Sequence, residues 1–521
     1  MIYFSLINQF LYYSLGMIGI GGGYAALQKY RLKPDKLANN EIKGHKELEK
    51  IIGDDGLKIS KNVRLNLKSD FEGCCLIGPT GSWKTTSLFL NNLLDNKIEG
   101  SFIVTDPKGE LFELSSGFQK NVCGRNVYKI DLENVDYSEG YNMLEQCRNT
   151  EEVLQLASSL LLNGALSIEI SSGKKVGGIE WIQMAEPLLS SVLLYVKELE
   201  SPYNTIEFAL QLILTLDNEQ LKELLDSSKN IDAITQYNIF LMVGSADRTE
   251  GSIKITLTSN MKLFTNKDVN KISSYTTFNI DKFRKEPSIL YIIYPERKSS
   301  YLAPFIAPFF SQITDKLLDN YSNKSLPIHL MFDEFGNIGM LNNMSINAAT
   351  VRSRKINLTI CLQSITQLYQ NYGINNAKSI LNNLKTKIIL PGITDIDTIN
   401  YTSNLCGFTE INTKSISYSK GNQSSSFGKT KRKIFEDGEL RTLEDKTALI
   451  IINNKMPVID PIEPYFECDI KFNVMKPVEY KRNTIKLLNI KKGIDMLRVI
   501  NSKEYEDVSG RILRQIFNEK G

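Results

Sequence analysis

Histidine is almost missing from this chain. His45 and His329 are its two histidines in 521 residues, too few and too far apart to hold a metal through imidazole, which excludes histidine-based zinc chemistry. Cysteine is also sparse: there are seven, none in C-x-x-C spacing, and only Cys74 and Cys75 are neighbours. An odd, unpatterned set excludes a disulfide framework and fits a reducing compartment. A strong net charge is lacking too, at +3, so any nucleic-acid footprint has to be local. Internal repeats are absent, which excludes a solenoid. Hydrophobic residues at 42% and charged residues at 23% exclude global disorder.

Charge is absent altogether from Ile2 to Leu27. As a helix this run spans about 39 Å at ~1.5 Å per residue, enough to cross a hydrocarbon core of about 30 Å once but not twice. Lys29, Arg31, Lys33 and Lys36 follow, and no basic residue precedes. The positive-inside rule then places the remaining chain in the cytoplasm. A cleaved signal peptide is the alternative, disfavoured by the missing basic n-region and by the length of the run.

Beyond the anchor, apolar runs alternate with helical spacing. GCCLI (73–77), SFIVTD (101–106) and NVYKIDL (126–132) read as strands, with helical stretches between them. Such alternation predicts a parallel sheet covered by helices. Between about 140 and 275 strand signals fade and apolar residues recur every three or four positions, as in EWIQMAEPLLSSVLLYVKELE, predicting an all-helical block. Strand signals return at SILYIIYP (288–295), IHLMFDEF (328–335), INLTICLQS (356–364), KIILPG (387–392) and TALIIIN (447–453). The Ser-, Gly- and Asn-rich stretch 415–433 reads as a mobile loop with a basic end, Lys429, Lys431, Arg432 and Lys433, able to touch a phosphate backbone or simply be solvated. The expected organisation is an anchor over 1–28, a linker over 29–68, an α/β domain built from 69–139 and 276–466, an all-α domain over 140–275, and a basic helical tail over 467–521.

The chemistry concentrates in GPTGSWKTTS (78–87). A phosphate-binding loop of the form G-x-x-x-x-G-K-[ST] needs a strand that ends, a turn exposing N–H groups, and a helix N-terminus behind the phosphates. Gly78, Pro79, Thr80, Gly81, Ser82, Trp83, Lys84, Thr85 and Thr86 are the candidate cradle for ATP. Lys84 neutralises the β- and γ-phosphates and the Thr85 hydroxyl holds Mg²⁺. Trp83 stands where the pattern has glycine. If that position needs a positive φ, the strain is about 1–3 kcal/mol, a handicap that the cradle survives if the ring points away. A second acidic site is required, and IHLMFDEF supplies Asp333 as the Mg²⁺ ligand and Glu334 as the base for the attacking water.

Six pieces, in order, then resemble the type IV secretion coupling ATPases, the TraG/TraD group of conjugation proteins. They are GPTGSWKTT; VTDPKGELFELSSGF (104–118) with GYNML (140–144); EWIQMAEPLL (180–189); MFDEFGNIG (331–339); CLQSITQLYQNYG (361–373); and TALIIINNKMPVIDPIEPYF (447–466). The resemblance implies a RecA-like P-loop NTPase core with an inserted all-α domain, ATP and Mg²⁺ as cofactors, and a homo-hexameric ring at the cell membrane with its motor in the cytoplasm. It implies as partners DNA or a relaxase–DNA complex and the type IV secretion channel. By position Gln363 is a γ-phosphate sensor, Asp106 and Lys108 belong to the nucleotide site, and Arg352 and Arg354 are arginine fingers for a neighbour. The chain departs from the family at Trp83 and in having room for one membrane helix where two are usual. No base-reading module is visible, so DNA contact is expected to be independent of sequence. Two other readings share these motifs: a non-hydrolysing substrate receptor with a degenerate loop, and a chromosome-segregation translocase of the FtsK/HerA kind.

Overall fold

The computed structural model describes residues 42–174, 178–244, 247–419, 422–483 and 488–501. The uncharged run with its expected anchor, and the tail beyond 501, lie outside the described residues.

Nine strands form one sheet. They are β1 (Cys74–Ile77), β2 (Ser101–Asp106), β3 (Asn126–Asp131), β4 (Ser288–Ile293), β5 (Ile328–Phe332), β6 (Ile356–Leu362), β7 (Thr386–Ile389), β10 (Thr447–Ile452) and β11 (Val458–Pro461). Across the sheet they lie in the order β11-β10-β7-β1-β6-β5-β2-β4-β3. From β7 to β3 all neighbours are parallel. At the other edge β10 runs antiparallel to β7, and β11 antiparallel to β10. The sheet is therefore mixed, where alternation alone predicted a parallel one.

β1, β2, β4, β5, β6 and β7 are buried at every residue, as strands covered on both faces must be. Their side chains alternate between two cores. Cys75 and Ile77 join one core with Leu330, Phe332 and Leu358. Cys74 and Leu76 join the other with Phe102, Val104 and Met331.

Every helix or strand assigned between Thr150 and Ser273 is helical, and buried residues of this block belong to the same core as the first sheet face. Its longest helix, α1 (Thr150–Ser172), is capped by the Asn149 side chain, which accepts the N–H of Glu152. Among the described residues α1 alone is long and apolar enough to cross a membrane, yet 50% of its most apolar stretch is buried inside the protein. It packs on α2 (Ile179–Lys197) and on α3 (Ser299–Asp319), as a core helix does.

Two expectations fail. Residues 415–433 belong to a β-hairpin of β8 (Phe408–Ser419) and β9 (Asn422–Lys433), with unbroken register from Phe408↔Lys433 to Ser419↔Asn422. Backbone pairing holds a ribbon whose polar composition gives no burial signal. Among the described residues the tail has a 3₁₀ turn at Asp469–Asn473 and one α-helix, Ile490–Asn501. Before that it runs as an extended strap, with Val478 N donating to Ser116 Oγ at 3.0 Å and Tyr480 OH to the Val127 carbonyl at 3.0 Å. The strap comes so close that a Cβ on Gly117 would lie 2.2 Å from the Lys476 carbonyl oxygen.

Candidate functional site

β1 ends at Ile77, and the loop starts by pairing Gly78 N with the Leu362 carbonyl at 3.0 Å. A Cβ on Gly78 would meet Ser82 Oγ at 2.6 Å and Leu390 Cβ at 2.9 Å, so no side chain fits there. The Pro79 carbonyl accepts from Ser82 N at 3.3 Å and Ser82 Oγ at 2.6 Å, closing the turn. Gly81 takes φ +82, and Trp83 takes φ +67, the left-handed region that L side chains occupy at a cost of about 1–2 kcal/mol. Hydrogen bonds offset that strain: the Trp83 carbonyl accepts from Ser87 N at 2.8 Å and Ser87 Oγ at 2.6 Å. The indole turns outward. Its edge meets Phe466 at 5.9 Å between centroids, and Lys446 Nζ lies 5.7 Å from its centroid.

β5 delivers the acids. Asp333 is buried, its Oδ2 accepts from Thr85 Oγ1 at 2.7 Å, and its backbone carbonyl accepts from Thr105 Oγ1 at 2.8 Å. Burial pushes its carboxyl up to about 6, opposed by the Thr85 hydroxyl and reinforced by Glu334. Glu334 has φ +53, which swings its side chain toward the loop: Oε1 lies 3.4 Å from Lys84 Nζ, and Oε2 accepts from Gln363 Nε2 at 3.1 Å. Lys84 Nζ also donates to the carbonyls of Gly78 at 2.9 Å and Pro79 at 3.1 Å. Because β6 lies between β1 and β5, Gln363 emerges at its end between the lysine loop and the acids.

Asp106 ends β2 and accepts the first-turn N–H of Phe112 at 2.8 Å, anchoring the helix Glu110–Asn121. Burial pushes its carboxyl up to about 7, opposed by the N–H groups of Phe112 and Leu111. With Lys108, Glu110, Thr85, Asp333 and Glu334 it lines a narrow cleft. The expected loop, acid, sensor and Asp106/Lys108 residues therefore converge on one edge of the sheet. Arg352 and Arg354 do not join them. They precede the N-terminal end of β6, roughly 23 Å from Gln363 at ~3.3 Å per residue, where Arg352 pairs with Glu72 at 2.9 Å and Arg354 stacks on Tyr321 at 5.6 Å. Sequence reasoning missed Thr105 and Glu110, which have only their place beside Asp106 to mark them, Lys446, which has no local signal, and Phe466, which only closes the last of the family-like pieces.

The residues fit a triphosphate with a hard cation. Asp333 Oδ1 is buried without a hydrogen-bond partner, next to the Thr85 hydroxyl, which is the all-oxygen donor set Mg²⁺ takes. The lysine, helix start and small-residue turn supply the phosphate half.

Comparison with known proteins agrees with this fold. A family model described as type IV secretory system conjugative DNA transfer matches residues 32–488. Protein VirD4 of Rhizobium radiobacter is 22% identical over 410 residues, covering 74% of this chain and 55% of that protein. Conjugal transfer protein TraG of Escherichia coli is 26% identical over 379 residues, covering 68% and 58%. The chain thus spans a little over half the length of these curated relatives. Among solved structures, the unbound bacterial conjugative coupling protein TrwB superposes with a TM-score of 0.64 at 17% identity, over 85% of this chain and 96% of that one. TrwB in complex with ADP and Mg²⁺ gives 0.61 at 15%, over 85% and 96%. With the fold shared and the family match running across most of its length, the chain belongs to the type IV secretory system conjugative DNA transfer family.

Proposed function

We propose that the chain is a membrane-anchored coupling ATPase that recruits DNA or a relaxase–DNA complex and drives it into a type IV secretion channel. The observation that carries this reading is the convergence of Lys84, Thr85, Asp333, Glu334 and Gln363 at one sheet edge. Relatives named for conjugal transfer support it, as do the TrwB structures holding an ATP analogue or ADP with Mg²⁺. On this reading residues 1–28 form the anchor, the helices between β3 and β4 form the all-α domain, and six copies close a ring.

Thr85 and Asp333 are the residues that hold the cation. When bound, Mg²⁺ would supply charge neutralisation to the phosphates. Lys84 turns its ammonium from the loop carbonyls to the phosphates. Glu334 takes the proton of the attacking water at Oε2, the oxygen Gln363 holds in place. Gln363 also has its main chain fixed, since Gln363 N donates to Gln367 Oε1 at 3.0 Å. A neighbour's Arg352 or Arg354 stabilises the transition-state charge. Catalysis is then positioning and electrostatics.

The test is nucleotide binding and hydrolysis by the full chain in lipid nanodiscs. Mg-ATP turnover rising with added single- or double-stranded DNA is expected. Lys84→Ala should remove nucleotide binding, and Glu334→Gln should keep binding while lowering kcat by about 10²–10⁴. Equal, negligible nucleotide affinity in wild type and Lys84→Ala would overturn the reading. A second reading, the non-hydrolysing receptor, is favoured by one observation, the strained Trp83 at the glycine position. Tight Mg-ATP binding with no turnover in the presence of DNA selects it.

A further inference from the structure

Trp83 costs backbone strain and leaves a large indole 40% exposed. Its neighbour Phe466 is 41% exposed. Two aromatic rings in edge contact, both open to solvent beside a phosphate cradle, have hydrophobic surface still to bury. We propose that Trp83 and Phe466 form the stacking site for the purine base of the nucleotide whose phosphates the loop holds. This inference rests on reading the loop as a nucleotide site and adds how the base end is recognised.

The sheet order gives the direction. Asp333, Glu334 and Gln363 come from β5 and β6, on one flank of β1. The terminal phosphate therefore faces that flank. β7, β10 and β11 lie on the other. Lys446 immediately precedes β10, and Phe466 follows β11 in the turn Tyr465–Glu467. The aromatic pair thus lies on the flank away from the acids, where the nucleoside end emerges.

The platform is built rather than incidental. Asn91, on the helix that follows the loop, donates its Nδ2 to the Glu463 carbonyl at 2.7 Å, tying the aromatic segment alongside the cradle. Tyr465 meets Phe466 edge-on at 5.5 Å and braces it. Lys446 Nζ stands over the indole and pairs with Glu467 of the same turn. The fold thus holds the exposed ring of Phe466 where the indole of Trp83 needs a partner. Stacking reads a π-face and little else, so ATP and GTP should bind within a few-fold of each other, and pyrimidine triphosphates more weakly.

The chain has two tryptophans, Trp83 and Trp181, so Trp181→Phe leaves Trp83 as the only indole reporter. In that full-length background Mg-ATP should quench Trp83 emission, while Mg-tripolyphosphate, which fills the cradle without a base, should bind and leave the emission nearly unchanged. Trp83→Gly should weaken ATP by about ten-fold or more, the effect of losing one stacked base. The same variant should keep or tighten tripolyphosphate, because glycine adopts the loop's φ without strain. Phe466→Ala, an exposed truncation that leaves the loop intact, should weaken ATP in the same selective way. Equal quenching by tripolyphosphate, or ATP affinity unmoved in both variants, overturns the platform and leaves the phosphate site standing. Failure of both ATP and tripolyphosphate to bind wild type overturns the nucleotide reading itself.

Discussion

Asp70 and His329 meet beyond the reach of bulk solvent: both side chains are fully buried, with Asp70 Oδ2 3.4 Å from His329 Nδ1. Burial pushes Asp70 up to about 7, opposed by the Leu57 N–H, and pushes His329 down to about 3. The pair is therefore a neutral acid beside a neutral imidazole, in keeping with His329 Nε2 facing the Glu99 carbonyl at 3.2 Å as the protonated nitrogen. A carboxyl whose folded pKa is raised opposes folding by nothing below its ordinary value of 3.8. The opposition grows as pH climbs to about 7 and is constant above. Asp70→Asn removes that opposition, keeps the acceptor that Leu57 N and Asn357 Nδ2 use, and offers an N–H to Nδ1. Its Tm relative to wild type should rise by a few degrees between pH 4 and pH 8; a difference that stays flat across that range would show that Asp70 is ionised in the fold. At this scale the site was legible, because Gly78, Lys84 and Thr85 fall in one short motif and Asp333 and Glu334 in another, and the chemistry of each motif is local. What Trp83 touches was not, because Phe466 reaches it from the far end of the domain.

The hairpin of β8 and β9 shows how an element can hide. Its strands are rich in Ser, Thr and Lys, and none of its described residues is buried, so no hydrophobic alternation marks it. Pairing sorts the residues into two faces. One carries Lys414, Lys429, Lys431 and Lys433 with Phe408 and Phe427, and Lys414 Nζ lies 5.6 Å over the Phe427 ring. The other carries Thr409, Thr413, Ser415, Ser426 and Thr430. Basic groups interleaved with an exposed aromatic suit a single-stranded nucleic acid, which fits the proposed cargo. Changing the four lysines to Ser should weaken single-stranded DNA binding and flatten its log–log salt dependence by about 0.7 for each phosphate no longer neutralised. An unchanged salt slope would remove the hairpin from the DNA path. Since the ribbon adds nothing to either core, the four-lysine variant should melt within a degree or two of wild type by calorimetry.

At the scale of the whole molecule, strand order decides what one subunit can do alone. Parallel pairing is non-local, so the sequence signalled β1 to β7 and β10 but neither β11 nor that β6 slots between β1 and β5, nor that β10 and β11 reverse at the edge. That slot puts Gln363 at the end of β6 beside Lys84 and the acids and leaves Arg352 and Arg354 at the opposite end. Neither arginine can serve its own subunit's phosphates across the length of the strand. If they act in hydrolysis, they act on a neighbour, and the site is shared between copies. The double variant Arg352→Ala with Arg354→Ala should then bind Mg-ATP as wild type does and hydrolyse it at least about 10³-fold more slowly. Mixed with Lys84→Ala, it should regain turnover. Random assembly pairs an intact loop with an intact pair of arginines at about a quarter of interfaces, although each parent alone has none. Recovery toward that fraction on mixing, measured as ATPase per total subunit, is the expected outcome. No recovery, or an arginine variant as active as wild type, would mean that each subunit completes its own site and that another cation stabilises the transition state.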